Sequence, residues 1–241
     1  MSKIEEGRKE HGHQGQYNWI PDFVYGGIDG AVTTFAVVAG VEGANLSVPI
    51  ILILGFANLF ADGFSMAIGK YQSDKAEMEQ YNHIKEIEYR HIEEKASHER
   101  AEVKVILKNY GFKGNDLKRA TAIITSNPDV WVDLMMRHEF NMTQENVRPV
   151  RGGVITFVSF LSIGFIPLIA YVFRGLIGLD DKGTFILTVA FTLFALFIVG
   201  AVKSKFSARN WFLSGMETAS IGGIAALIAY FICYFLRGLV G

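Results

Sequence analysis

The chain has 241 residues, of which 50% are hydrophobic, and its mean hydropathy is +0.26. Its formal net charge of −1 is unlike the basic surface that nucleic-acid binding requires, so we expect no nucleic-acid partner. The single cysteine, Cys233, cannot form a disulfide within the chain. These features favour an integral membrane protein.

The apolar residues cluster into windows of about 20 residues, the length of helix needed to cross roughly 30 Å of hydrocarbon. Five such windows occur, at residues 23–44, 48–69, 153–173, 184–202 and 215–239. We therefore predict an all-α, polytopic membrane protein with five transmembrane helices. The preceding polar tail, which contains His11 and His13, lacks the pattern of a cleaved signal peptide.

Basic residues predict the orientation of these spans, because they concentrate on the cytoplasmic side. Lys203, Lys205 and Arg209 follow the fourth span, and Arg148 and Arg151 precede the third. We expect the N-terminus and the long connection between spans two and three to be cytoplasmic and the C-terminus to lie outside. The membrane expected for such a chain is a prokaryotic plasma membrane.

The connection between spans two and three holds most of the 24 acidic residues and cannot lie in lipid. Helix formers continue the second span as one long helix or two, which stop at Gly111. A second helix is predicted at 116–126, and a third begins at Pro128, since proline suits a first helical turn. The predicted domains are a tail at 1–18, spans one and two at 19–69, a cytoplasmic helical metal-binding domain at 70–151, and spans three to five at 152–241.

Four potential metal ligands share one face of the long helix. At 100° per residue an arc of about 80° contains Glu88, His91, Glu99 and Glu102, provided that the helix is unbroken through 96–97. Carboxylates with an imidazole suit Mn²⁺, Fe²⁺ or Zn²⁺. The alternative is a solvated charged face, since Lys95 lies on the same arc and Ser97 could begin a new helix.

The third polar helix offers a second group of ligands. Trp131, Leu134 and Met135 fit a buried stripe, and Glu139 lies one turn beyond Met135. Methionine pairs such as Met135-Met136 usually fill cores. Packed against the Glu-rich helix, however, this segment would complete a mixed Glu/His/Met site.

An enzymatic alternative rests on Glu88-x-x-His91, which has the spacing found in di-iron carboxylate bundles. That architecture also needs further glutamates on other helices. We favour metal binding over an oxidase, and we expect no enzymatic activity.

Two acids lie inside predicted spans, where a carboxylate costs on the order of 3 kcal/mol. Asp29 is in the first span and Asp62 in the second, where Asn58, Asp62 and Met66 fall on one helical face. Such a face indicates either a pathway or a hydrogen-bonded partner helix. Asp29, Asn58, Asp62 and Met66 are therefore candidate functional residues, and the residues alone leave both alternatives open.

Three stretches of the chain resemble the vacuolar iron transporter family: YGGIDGAVTTFAVVAG, ADGFSMAIGKYQSDKAEMEQY and NPDVWVDLMMRHEF. The resemblance extends from Trp19 to the glycine-rich fifth span. It implies a homodimer whose pathway runs between the subunits and is lined by the first spans. It also implies export of Fe²⁺, and often Mn²⁺, from the cytoplasm in exchange for protons, with the metal as transported ion and no permanent cofactor.

The same resemblance implies roles for individual residues. Asp29 matches the family's pathway aspartate and Met66 its pathway methionine, while the ligand positions of the cytoplasmic domain are matched by Glu88, Glu99, Glu102, Met135 and Glu139. His91 stands where the family commonly has glutamate. Many members carry a glutamate at the position of Asn58, and Asp62, one turn later, could replace it. A membrane-anchored metal sensor or buffer, which binds without flux, is the alternative from a different class.

Overall fold

The computed structural model describes residues 17–143, 147–204 and 209–240. Throughout these residues the regular secondary structure is helical, without a strand, which agrees with the predicted all-α class. Lys205 and most of the polar tail, with His11 and His13, lie outside the described residues.

The chain divides into two compact units, Met1–Ser73 with Arg148–Gly241, and Asp74–Val147. The helices of the first unit are α1 (Ile20–Gly43), the first part of α2 (Val48–Glu94), α6 (Pro149–Gly164), α7 (Ile166–Val172), α8 (Arg174–Ile177), α9 (Asp181–Ser204) and α10 (Trp211–Val240). The helices of the second unit are the rest of α2, α3 (Ala96–Asn109), α4 (Gly114–Ile124) and α5 (Pro128–His138). We call them the membrane unit and the polar unit.

Within the described residues, α1, α2, α9 and α10 are long and apolar enough to cross a membrane, and α6 with α7 makes a fifth span if this bent pair is counted as one. Four of the five predicted spans correspond to single helices, and the predicted third span corresponds to the bent pair. The third span differs from the expected single helix, because it bends by 42° between α6 and α7. Pro167 accounts for the bend, since its ring lacks an N–H and would clash with the carbonyl of Ile163 in a continuous helix.

Helix α1 packs closely against its neighbours through glycines. A Cβ added to Gly26 or Gly30 would lie 2.4 Å from the backbone oxygen of Thr156 or Phe160 on α6. At its other end, a Cβ on Gly43 would lie 2.4 Å from a backbone oxygen of α10. Small residues permit this approach of helix backbones in a membrane, and they hold the helix that carries Asp29 inside the unit.

The polar unit has its own apolar core, formed by Ile92, Val103, Leu107, Trp131, Val132, Met135 and Met136. Pro128 lies in the first turn of α5 as predicted, and the Asn127 side chain caps the helix by accepting hydrogen bonds from the backbone N–H groups of Asp129 and Val130. The Tyr89 hydroxyl on α2 donates a 2.6 Å hydrogen bond to the Asp129 carboxylate. These contacts fix α5 against the end of α2.

The long polar helix is broken, so the premise of the single-helix arc is wrong. Helix α2 ends at Glu94, and Lys95 leaves the helical conformation with φ −129° and ψ 32° before α3 begins at Ala96. Lys95, and not Ser97, occupies the position that precedes α3. The alternative of two helices is therefore confirmed, and the second ends before Gly111, which has a φ of +93°.

Candidate functional site

The break at Lys95 brings three potential ligands together. Glu88 and His91 lie near the end of α2, and Glu99 lies in the first turn of α3. One ligand atom from each lies within 4.8 Å of the others. His91 Nδ1 is 3.4 Å from Glu88 Oε1 and 3.8 Å from Glu99 Oε1. Glu88, His91 and Glu99 thus converge across the break between α2 and α3 and not along one continuous face.

Both carboxylates of this cluster are removed from water. Glu88 is 1% exposed and Glu99 3% exposed, whereas His91 is only half-buried. Glu88 Oε2 is buried without a hydrogen-bond partner among the described residues. A buried carboxylate that lacks a partner is costly unless a proton or a cation neutralises it. Two carboxylates and one imidazole form a donor set suited to a divalent first-row metal ion.

Two further acids act on the cluster electrostatically. The pKa of Glu99 is raised to about 7, first by burial and then by repulsion from Glu102 and Glu88, while His91 opposes the rise. Loss of hydration, then repulsion from Glu102 and Glu88, raises the pKa of Glu139. Glu102 also lies 3.3 Å from His98. The acids predicted as ligands in the polar unit therefore influence one another, although only Glu88 and Glu99 join His91 in the compact group.

The other predicted ligands of α5 have different surroundings. Met135 is fully buried in the apolar core of the polar unit, together with Met136. Glu139 is exposed and follows the last turn of α5. The His138 ring is engaged by Tyr110, whose hydroxyl lies 3.0 Å from its Nε2. Core packing therefore accounts for the methionine pair in this structure.

The membrane unit places the two intramembrane acids near each other. Asp29 is half-buried on α1, and the Asp62 charge acts directly on it. Asn58 is also half-buried, and its Nδ2 has no hydrogen-bond partner among the described residues. Asp62 and Met66 line a cavity of about 460 Å³, and Asp29 and Asn58 are not among the described residues that line it.

The cavity wall also contains charged residues that the sequence reasoning missed. Asp22 is 5% exposed, and the Lys70 ammonium lies 3.1 Å from its Oδ1. The Tyr17 hydroxyl donates a hydrogen bond to the other carboxylate oxygen of Asp22. Asp22 and Lys70 lie at the ends of predicted spans, where charges usually meet the lipid headgroups. The signal available in the sequence was that Asp22 lies seven residues before Asp29 and Lys70 eight residues after Asp62.

Fold and site together define a polytopic helical membrane protein with a carboxylate–imidazole cluster in a separate polar unit. The family model described as VIT family matches residues 20–234, and the chain belongs to that family. This confirms the resemblance found in the sequence.

The chain is similar over most of its length to several curated proteins. It is 34% identical over 223 residues to a vacuolar iron transporter of Centaurea cyanus, which covers 92% of this chain and 89% of that protein. It is 32% identical to vacuolar iron transporter 1 of Arabidopsis thaliana over 88% of this chain and 83% of that protein. A vacuolar iron transporter of Toxoplasma gondii is 31% identical over 97% of this chain and 79% of its own length. These names give no support to a prokaryotic plasma membrane.

We predict that Glu99→Gln weakens Mn²⁺ binding to the purified protein by roughly tenfold or more. Changes to residues that only support a metal ligand already lower affinity by about this factor, and Glu99 is proposed as a ligand itself. The amide keeps the side-chain shape but removes the charge. Isothermal titration measures the affinity. Glu94→Gln, at an exposed acid in the last turn of α2, is the matched control and should bind as the unchanged protein does. Equal losses in both variants would contradict a site at Glu99.

We also predict that Mn²⁺ binding weakens as the pH falls. Because the pKa of Glu99 is about 7 in the metal-free protein, a proton competes with the metal below that value and leaves above it. Titrations at about pH 6 and about pH 8 should show the tighter binding at the higher pH. Glu99→Gln should have a smaller pH dependence, and an unchanged dependence would assign the effect to another group.

Proposed function

We propose that this protein exports divalent metal ions, above all Fe²⁺, from the cytoplasm by exchange with protons. The observation that carries the proposal is the presence in one chain of two neighbouring intramembrane carboxylates, Asp29 and Asp62, and of a buried ligand cluster outside the spans. Relatives at about 30% identity bear the name vacuolar iron transporter, which supports iron as the substrate.

In this proposal the polar unit collects the ion. Its buried Glu88 and Glu99 carboxylates supply the negative charge that attracts a cation. The neutral form of the His91 imidazole can bind the same ion as a third ligand. Glu102 and Glu139 extend the negative field toward the solvent. Arg148 and Arg151, beside the third span, support a cytoplasmic position for this unit.

The ion then passes the carboxylates of the membrane unit. Asp62 and Met66 face one cavity and supply a hard oxygen and a soft sulfur ligand, a combination that suits Fe²⁺ better than Ca²⁺ or Mg²⁺. We assign Asp29 to the same path, because the Asp62 charge acts on its carboxylate. A carboxylate in lipid is stable when a proton or a cation neutralises it. Alternate occupancy by the two would couple their fluxes.

The proposal includes a homodimer with the pathway between its subunits, as the family resemblance implies. On α2, the helix that carries Asp62, apolar side chains are exposed, among them Ile53, Phe60 and Phe64. Lipid or a second copy of the chain would cover them. Mn²⁺ is the second candidate substrate, because it accepts the same oxygen and nitrogen ligands.

The buried cluster of the polar unit favours one further candidate function, a membrane-anchored metal sensor or buffer. Such a protein binds metal without moving it. A sensor or buffer does not require carboxylates such as Asp29 and Asp62 inside the spans. The transport proposal accounts for these two residues as well as for the cluster.

Proteoliposomes that contain the protein should take up Fe²⁺ when a pH gradient is imposed, and Asp29→Asn should reduce uptake to the level of protein-free vesicles. The amide cannot exchange a proton for a cation. Asp116→Asn, at an exposed acid of α4, is the control and should transport normally. Undiminished uptake by Asp29→Asn would overturn the pathway, and uptake that ignores the pH gradient would overturn antiport. If the unchanged protein bound Fe²⁺ but did not take it up, the result would favour a metal sensor or buffer.

Asp62→Asn should also lower uptake, and the added change Asn58→Glu should restore it, because the new carboxylate lies one turn away on the same helical face. Asn58→Gln in the same background has the length of glutamate without its charge and should fail to restore uptake. Equal rescue by both, or no loss in Asp62→Asn, would show that Asp62 does not replace a missing acid at position 58.

A further inference from the structure

The cavity beside Asp62 and Met66 contains a cation of its own. The side chain of Lys70 is 28% exposed and that of its partner Asp22 is 7% exposed, and both line the cavity. The ammonium lies 3.1 Å from Asp22 Oδ1, a direct ion-pair distance. A positive charge in the wall of a cavity proposed to carry cations opposes their entry, so its presence there needs an explanation.

Asp22 is held from its other side by groups that do not move with Lys70. The Tyr17 hydroxyl donates to the second carboxylate oxygen, and the Arg151 guanidinium lies 5.3 Å from the centre of the Tyr17 ring. This cation–π contact orients the tyrosine. The carboxylate is therefore fixed in position, whereas the ammonium is carried on a flexible four-carbon stem.

The burial of this pair determines what can replace the ammonium. Taking away one partner of a buried ion pair leaves an uncompensated charge and is strongly unfavourable. Asp22 therefore releases Lys70 only when another cation takes its place. A monovalent ion brings no more charge than the ammonium, which is also tethered beside the carboxylate. A divalent ion brings twice the charge and finds Asp62 and the Met66 sulfur in the same cavity.

We propose that Lys70 is a tethered counter-cation of this cavity, which a divalent metal ion must displace from Asp22 in order to enter. The ammonium excludes monovalent ions and returns to Asp22 when the metal leaves, so the carboxylate is never left without a positive partner. Lys70 is thus a residue that determines ion specificity. The inference rests on the proposed function, in which this cavity lies on the metal path.

Chemical labelling of lysines in the purified full-length protein tests the displacement without measuring transport. An amine-reactive acylating reagent, read out by peptide mass spectrometry, should modify Lys70 several-fold faster when Mn²⁺ is present than in Na⁺ at equal ionic strength. Lys75, paired with Glu79 one turn away, is the control and should label at the same rate in both. In Asp22→Asn, labelling of Lys70 should lose its dependence on Mn²⁺. Labelling of Lys70 that does not respond to Mn²⁺, or that responds equally in Asp22→Asn, would overturn the inference.

Transport provides a second measurement. Lys70→Met removes the charge and keeps the length of the stem, and it should lower the Mn²⁺ concentration for half-maximal uptake and make uptake more sensitive to competing Na⁺. Lys70→Arg keeps the charge and should retain the discrimination against Na⁺, and Lys75→Met should behave as the unchanged protein. Metal-dependent labelling without uptake would overturn the transport proposal and leave the displacement standing. Uptake of Mn²⁺ together with Lys70 labelling that does not depend on metal would overturn the displacement and leave the transport proposal standing.

Discussion

Carboxylates that are withdrawn from water need positive charge beside them, and this requirement links the notable sites of the protein. Glu99 shows its consequence for folding. Its pKa rises from 4.5 to about 7, so the folded protein binds the proton more tightly, and the stability this proton contributes is complete below about pH 4.5 and lost as the pH rises through 7. Near neutral pH, a bound cation would restore what the departing proton removes.

The two units meet this requirement in different ways. In the polar unit, the ion-pair partner of Glu88 and Glu99 among the described residues is the half-exposed His91 imidazole, so the cluster is short of positive charge. In the membrane unit, Asp22 has the Lys70 ammonium and the Tyr17 hydroxyl. The first arrangement favours capture of a cation from solution. The second is already neutralised and favours an exchange of one cation for another.

The features that were predicted from sequence depend on local patterns, and those that were missed depend on distant contacts. Runs of apolar residues identified the spans, and Pro128 marked the start of α5. Glu88, His91 and Glu99 were identified on the face of one continuous helix, whereas the helix breaks at Lys95. Ser97 indicated that a break was possible, but it did not indicate that the break would bring these three side chains together. Pro167 was visible but was not interpreted as a bend. The pairing of Asp22 with Lys70 joins two helices across a packed unit, which residue spacing within either helix cannot reveal.

In each proposed step, one positive charge beside a carboxylate is replaced by another. At Glu99 an entering metal replaces a proton, and at Asp22 it replaces an ammonium. Within the membrane unit, the Asp62 carboxylate repels that of Asp29 when both are ionised. A divalent ion beside this pair removes that repulsion, and its departure requires a proton in its place. In this proposal no step leaves a buried carboxylate without a proton or a cation beside it, and that requirement would couple the movement of metal to the movement of protons.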